Sequence, residues 1–491
     1  MLADNRCIDN FGRLQPHIRE SGKQHEGLME LEVAYQRCLD SLVGSISELA
    51  APPPMEEIEP IASLIVQAMT GQWRYFHTPS HIFEVGGSSD PIEVLSALFH
   101  DLVYVQVDSG INLNVSRYIS PYIEELNGKL SILPANLLPD DRSFLMVLSV
   151  FGFVPEQVLD PFRGQNEFLS AVIGSKALEP FLSLGDLVRI AACIEATIPF
   201  RGVSAEGWTA SDRLEQNLYR TREQFDLDWP DDEIYDAVKR AVRLANRDVE
   251  NFALPNSAEF LDNTWNLLPE TNHELISANS YTVRGYRRSI QKMEGFINFL
   301  KPEVVFSQYR GEPDDDTYAG LVERTRKNLE TAQLYLGVKL ITIAVLEALS
   351  YRLGRNVHIS TMMGEFPEVG VKTPALAEFL PHLSNDCPPS TQREAEVLQL
   401  LSQGRTRESA YDLKNSPLAT FIIESVGFDC VTELLAASKE FLKGELPAEH
   451  FLQHRFLRQG RVDVVQIITQ GVLELAKHRA NLLKGNQAVQ V

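Results

Sequence analysis

The chain has no C-x-x-C pair, and its five cysteines (Cys7, Cys38, Cys193, Cys387 and Cys430) are scattered and odd in number. They read as free thiols of a reducing compartment rather than as a disulfide framework. Cations are also in short supply. Forty-five Lys and Arg face 67 Asp and Glu, a net charge of −22. That balance argues against a general affinity for nucleic acid or anionic membranes, and it leaves room for a local basic pocket that meets a phosphate. Long apolar runs are missing too. The strongest, Leu340 to Leu349, is too short to span a bilayer and contains Glu347. Residues 1–25 are polar with no apolar core segment, so no secretory signal is expected there, only a loosely ordered start. The expectation is a soluble, cytoplasmic protein. Period-two alternation is scarce as well, which leaves little room for sheet.

What remains is a helical chain. A length of 491 residues suggests two or three domains, and 44% hydrophobic residues can fill sizeable cores. Leu28, Leu31, Ala34, Cys38, Leu42 and Ile46 share one face of a helix expected over residues 27–50. A-P-P-P-M breaks the chain at Pro52 to Pro54, and a second helix starts at Glu56. Residues 110–190 hold several helices and more than one loop. Gly185-Asp186 then opens a stretch nearly continuous in small and apolar residues, interrupted by Glu195, that reads as a central helix. After Ala253 the texture loosens into a connecting region. A helix capped by Asp314 to Asp316 follows, and Thr391-x-x-Glu394 is a capping box that opens another. The expected organisation is all-α: a polar segment over 1–25, a helical domain over 26–265, and a second helical domain over 266–491. That second domain carries no catalytic motif and reads as an interaction or dimerisation domain.

Chemistry concentrates in Arg74 to Tyr104. Three of the chain's 11 histidines, His77, His81 and His100, fall there. Thr78 is a natural N-cap and Pro79 a natural first helical residue, so His77 precedes a helix and His81 lies in its first turn. Asp90-Pro91 repeats the start signal for a helix that carries His100 and Asp101 near its end, among Ala97, Leu98, Phe99, Leu102 and Val103. A buried imidazole and carboxylate are costly without a partner, and a divalent metal satisfies both. A core histidine with an ordinary hydrogen bond is the plain alternative. Further on, Ile234, Val238, Ala241, Ala245 and Phe252 recur in steps of four and three, and Asp248 occupies the remaining position of that stripe. It either pairs with an arginine of another helix or completes a metal set.

These residues resemble a known family. R-Y-F-H-x-x-x-H-I, an apolar helix ending F-H-D-L-V-Y, and a late Asp on a helix look like the HD-domain metal-dependent phosphohydrolases. The H-x-x-x-H spacing is similar to that of the cyclic-nucleotide phosphodiesterase branch. The resemblance covers residues 55–255. It implies an all-α HD-type bundle with His81, His100, Asp101 and Asp248 as metal ligands and His77 as the proton donor to the leaving oxygen. Three departures stand beside it. The gap between Asp101 and Asp248 is long for the simpler members, no E-D pair follows His100-Asp101, and no histidine occurs between His100 and His273. A second metal held by histidines therefore lacks its ligands.

If that family's chemistry holds, the expected cofactor is a divalent ion (Mn, Fe, Co, Zn or Mg), because the donor set mixes nitrogen and oxygen. Asp101 orients the attacking water as well as binding metal, and Glu195 helps to position it. Glu195 paired with a structural Arg is the plain alternative. Arg74 and Arg201 are the better candidates for gripping a phosphate, with Arg247 a third. The expected substrate is a small-molecule phosphate ester or nucleotide. The competing expectations are a nucleotide-sensing module without turnover, and a scaffold whose C-terminal half binds a protein partner or a second copy.

Overall fold

The computed structural model describes residues 17–275, 279–366, 373–383, 387–409 and 411–483. Residues 1–16, with Cys7 and most of the expected loose start, lie outside the described residues. The all-α expectation holds: the described residues carry a single two-stranded sheet, and everything else regular is helix.

Four helices lead into the site. α1 spans His17–Leu49, so it begins ahead of the expected residue 27 and takes in residues 17–25. Cys38, Leu42 and Ile46 are fully buried on it, whereas Leu31, read as part of the same stripe, is exposed. α2 spans Met55–Met69 and starts straight after the proline run. α3, Pro79–Val85, has Thr78 at the N-cap position, but its hydroxyl makes no cap bond, and Pro79 supplies the preset φ instead. α4, Pro91–Phe99, is capped as its sequence demands: the Asp90 carboxylate accepts from the amides of Ile92 and Glu93. Its apolar face (Ile92, Leu95, Leu98, Phe99) is buried, each such side chain contributing about 2 kcal/mol.

Two further helices complete the first core. Gln165–Leu178 is buried along nearly its whole length, and it approaches α4 at Gly174, where a Cβ would meet the Phe99 ring at 3.1 Å. Leu184–Ala196 is the central helix expected from its composition, capped by Ser183, and it packs on Asp231–Asp248. The one departure from helix is a hairpin, β1 (Ile123–Leu126) and β2 (Lys129–Ile132), joined by Asn127-Gly128 with φ of 54° and 73°. Both turn residues need positive φ, which Asn-Gly tolerates best.

The first hydrophobic core runs from Cys38 to Leu244, and a second begins at Val249 and reaches Ile468. Residues 249–265 pack in the second core. That core is built around the 36-residue helix Asp315–Ser350, which runs unbroken through Gly337 and is capped by Asp314. By length and composition this helix could cross a membrane, but 89% of its apolar window is buried inside the protein. Glu347, the charge in its apolar run, is paired with Arg287 at 2.7 Å.

The cores are stitched together. Tyr309 of the second half packs in the first core and donates to Glu215 at 2.7 Å. Asn246 and Ser307 exchange two hydrogen bonds of 2.8 and 2.9 Å.

Candidate metal centre

Arg247 sets the frame. Its Nε donates to the carbonyl of Val85 at the end of α3, and its Nη2 meets Glu93 of α4 at 2.6 Å. Arg243 reaches the same fully buried Glu93 at 2.7 Å, and Arg240 reaches Asp90 at 2.6 Å. Three arginines of one helix thus hold α3 and α4 against Asp231–Asp248. The next residue, Asp248, is the last of that helix and faces the ends of both.

There His81, His100, Asp101 and Asp248 converge. Each offers one ligand atom, and those atoms all lie within 4.8 Å of one another. His81 Nε2 is 3.3 Å from Asp101 Oδ2 and 3.1 Å from Asp248 Oδ1, and His100 Nε2 is 3.1 and 3.2 Å from the same two oxygens. Separations near 3 Å are those of ligands sharing an ion about 2.1 Å from each. His100 is the C-cap of α4 rather than a helix-interior residue, and Asp101 lies just beyond it. His100 Nδ1 donates to the carbonyl of Ala97 at 2.8 Å, which turns Nε2 toward the carboxylates. His100 is 1% exposed and the two aspartates 16–19%. The donor set and its convergence fit a divalent metal, and these four residues can hold one. Among the described residues, Asp248 pairs with His81 and His100 and with no arginine.

The electrostatics follow from this closeness. Burial alone would depress His81, but hydrogen bonds to Asp101 and Asp248, and their charges, raise it to about 9. Burial likewise opposes protonation of His100, and the same carboxylates lift it well above its ordinary value. Against burial, which would raise them, the His100 charge holds Asp101 well below the usual carboxylate range and lowers Asp248 too. With no metal, two imidazolium groups neutralise two carboxylates.

His77 stands beside the set, its ring 5.8 Å from that of His81 and 4.6 Å from that of Tyr104. Its Nδ1 donates to Glu270 Oε2 at 2.7 Å. Glu270 Oε1 also accepts from the backbone amides of Tyr75, Phe76 and His77, at 2.8, 2.8 and 3.1 Å. Glu270 comes from the short helix Leu267–Thr271 of the second core and is buried. Burial opposes its ionisation, but His77 and those amides hold it below its ordinary value. Nearby, Trp73 stacks on His273 with ring centroids 4.0 Å apart. The carboxylate that fixes His77 thus belongs to the half that carries no catalytic motif. Nothing in L-L-P-E-T marks that glutamate, because its partner lies almost two hundred positions away.

The other expected site residues are engaged elsewhere. Arg74 is buried, with Nε and Nη2 on Asp108 at 2.9 and 2.7 Å and Nη1 on the Asp101 carbonyl at 2.9 Å. It braces the backbone of Asp101, one of the four residues that can hold a metal. Glu195 and Arg201 are brought together with each other: Arg201 binds both Glu195 oxygens and its carbonyl. Among the described residues, no hydrogen bond or ion pair joins either of them to the four-residue cluster.

No family model, curated protein or solved structure matches this chain.

Proposed function

We propose that this chain is a metal-dependent phosphohydrolase with an HD-type site, acting on a nucleotide or another small phosphate ester. The observation that carries the reading is the convergence of His81, His100, Asp101 and Asp248, which are far apart in sequence, onto one set of ligand atoms within 4.8 Å. The mixed imidazole and carboxylate donors suit Mn, Fe, Co or Zn, with Mg the harder alternative. Bound there, a divalent ion supplies Lewis acidity toward a phosphoryl oxygen and acidifies water near neutral pH.

The chain's own residues supply the rest. Glu270 keeps the Nδ1 proton of His77 in place, so Nε2 is the nitrogen that faces outward and carries a proton to the departing oxygen. Asp101 orients water at the cluster while Arg74 holds the Asp101 backbone. With Arg74 and both Nη groups of Arg201 already on carboxylates, the phosphate's charge falls chiefly to the ion itself.

The test is turnover of a panel of nucleotides and phosphate esters by full-length protein loaded with Mn, Co, Zn or Mg, beside elemental analysis. At least one ion per chain and hydrolysis of some phosphate ester are expected. An absence of metal after loading overturns the reading. Metal and nucleotide binding without turnover makes the chain a nucleotide-sensing module instead.

A further inference from the structure

Tyr104 stands three residues beyond Asp101, and its backbone is pinned on both sides. The amide of Val103 donates to Ser170 Oγ at 3.0 Å, and that of Val105 to Asn166 Oδ1 at 3.2 Å. The Tyr104 carbonyl accepts from the amides of Val107 and Asp108, at 3.1 and 2.9 Å. Arg74 closes the loop by joining the Asp108 carboxylate to the Asp101 carbonyl, and its Cζ lies 5.8 Å from the centroid of the Tyr104 ring. The ring therefore has little freedom. It packs edge-on against His77, with centroids 4.6 Å apart and 77° between the planes. From there the rings run on to the ligands, His77 to His81 at 5.8 Å and His81 to His100 at 5.5 Å.

The hydroxyl of this fixed ring is idle. Among the described residues it makes no hydrogen bond, and it is not sealed from solvent. Other phenols packed in the first core are engaged: Tyr122 donates to Asp141, Tyr219 to Tyr235 and Tyr309 to Glu215. Tyr35 and Tyr75 also keep unbonded hydroxyls, but the Tyr75 ring turns to Tyr411, and among the described residues neither ring meets a histidine of the site. Burial, followed by the charges of Glu270 and Asp101, raises the Tyr104 phenol above its ordinary value, so it keeps its proton and remains a donor. A phosphoryl group has at least two nonbridging oxygens, and an ion that binds one leaves another to be met. The arginines nearby are spent on carboxylates: Arg74 on Asp108, Arg201 on Glu195 and Arg247 on Glu93. A neutral donor on a ring already held in place can meet that oxygen with little reorganisation.

We infer that Tyr104 is a catalytic residue of the phosphohydrolase reaction proposed above: its hydroxyl donates a hydrogen bond to a nonbridging oxygen of the phosphoryl group, beside the proton donor His77. The inference rests on that reading and gives the phosphoryl group a second hold besides the ion. The phenol keeps its proton throughout, so the balance of water plus ester to alcohol plus phosphate is unchanged. As charge builds on that oxygen the bond strengthens, and the effect falls on kcat more than on KM.

The experiment compares wild type and Tyr104→Phe in the full chain, loaded with Mn, using p-nitrophenyl and bis-p-nitrophenyl phosphate. Phenylalanine keeps the ring against His77 and removes only the hydroxyl. Tyr104→Phe should keep the metal content and helical circular dichroism, and lose about 10²–10³-fold in kcat with a smaller change in KM. Its pH profile should keep the wild-type shape, because His77 and Glu270 are untouched. Inorganic phosphate, followed by calorimetry, should bind the variant about tenfold more weakly. A wild-type rate in Tyr104→Phe, a shifted pH profile, loss of its metal, or phosphate binding equal to wild type overturns the inference and leaves Tyr104 a support for His77. An active wild type beside an unchanged variant removes only the role of Tyr104. If wild type hydrolyses neither ester nor any other of the panel, the hydrolase reading falls and the catalytic role of Tyr104 with it.

Discussion

His81 and His100 carry the positive charge that two converging carboxylates require when no metal is bound. Their raised values mean that metal must displace protons at pH 7. Calorimetry of Mn binding in buffers of different ionisation enthalpy should therefore show proton release, with apparent affinity climbing up to about pH 9. Binding enthalpies independent of the buffer would contradict the protonated cluster. The same groups set a pH dependence of stability. A histidine raised on folding stabilises fully below its ordinary value near 6.5, and that contribution is lost as pH rises through about 9. The lowered aspartates stabilise above their ordinary range, and their contribution is lost as pH falls below it. The Tm of metal-free protein should thus decline between pH 6.5 and 9, and saturating Mn should flatten the decline. His77 differs in kind, since it belongs to Glu270 rather than to the cluster. His77→Ala should keep the metal and lose roughly 10²–10⁴-fold in turnover, less for aryl phosphates whose leaving groups need little protonation. Glu270→Gln should act in the same direction. If His77→Ala releases the metal, His77 is a ligand and its role as proton donor is wrong.

At the scale of elements, the site is a meeting of helix ends. α3 offers its first turn, α4 its C-cap, and Asp231–Asp248 its last residue. Helix ends meet only if something sets their relative height, and that is the ladder of Arg240, Arg243 and Arg247 onto Asp90 and Glu93. Glu93→Ala should cost about 2 kcal/mol of stability by denaturant unfolding, the range for hydrogen bonds to charged groups. It should also weaken metal binding, although Glu93 touches no ligand. Unchanged metal affinity would show that Asp248 is held by its own helix alone. The Asp248 stripe was legible as 3.6-residue periodicity, and Asp90-Pro91 as a helix start. The hairpin at Asn127-Gly128 escaped because four-residue strands are too short to show alternation.

Across the whole molecule, the two cores share one site. Glu270 of the second fixes His77 of the first, and the 305–312 segment of the second half docks through Asn246, Glu215 and Arg243. Metal binding, which touches only residues of the first half, should therefore stabilise both. At an Mn concentration of 100 Kd the gain is about 2.7 kcal/mol. Scanning calorimetry should show a single transition that moves as a whole. Two transitions, of which metal shifts only one, would show that the cores unfold independently.

What the amino-acid order determined alone is whatever depends on near neighbours. Helix starts at Asp90 and Asp314 follow from caps a few residues long, and the apolar stripes follow from 3.6-residue periodicity. His100, Asp101 and Asp248 were legible as polar groups among apolar neighbours, and His81 through its H-x-x-x-H spacing and the family resemblance. Pairing across distance was decided only by the tertiary structure. Arg74 and Arg201 were open to a phosphate until Asp108 and Glu195 proved to hold them. Glu270 went unmarked because a carboxylate's worth depends on what lies within a few ångströms of it, and no local pattern encodes that distance. A helix propagates its signal through successive hydrogen bonds along the chain, whereas a charge is answered through space.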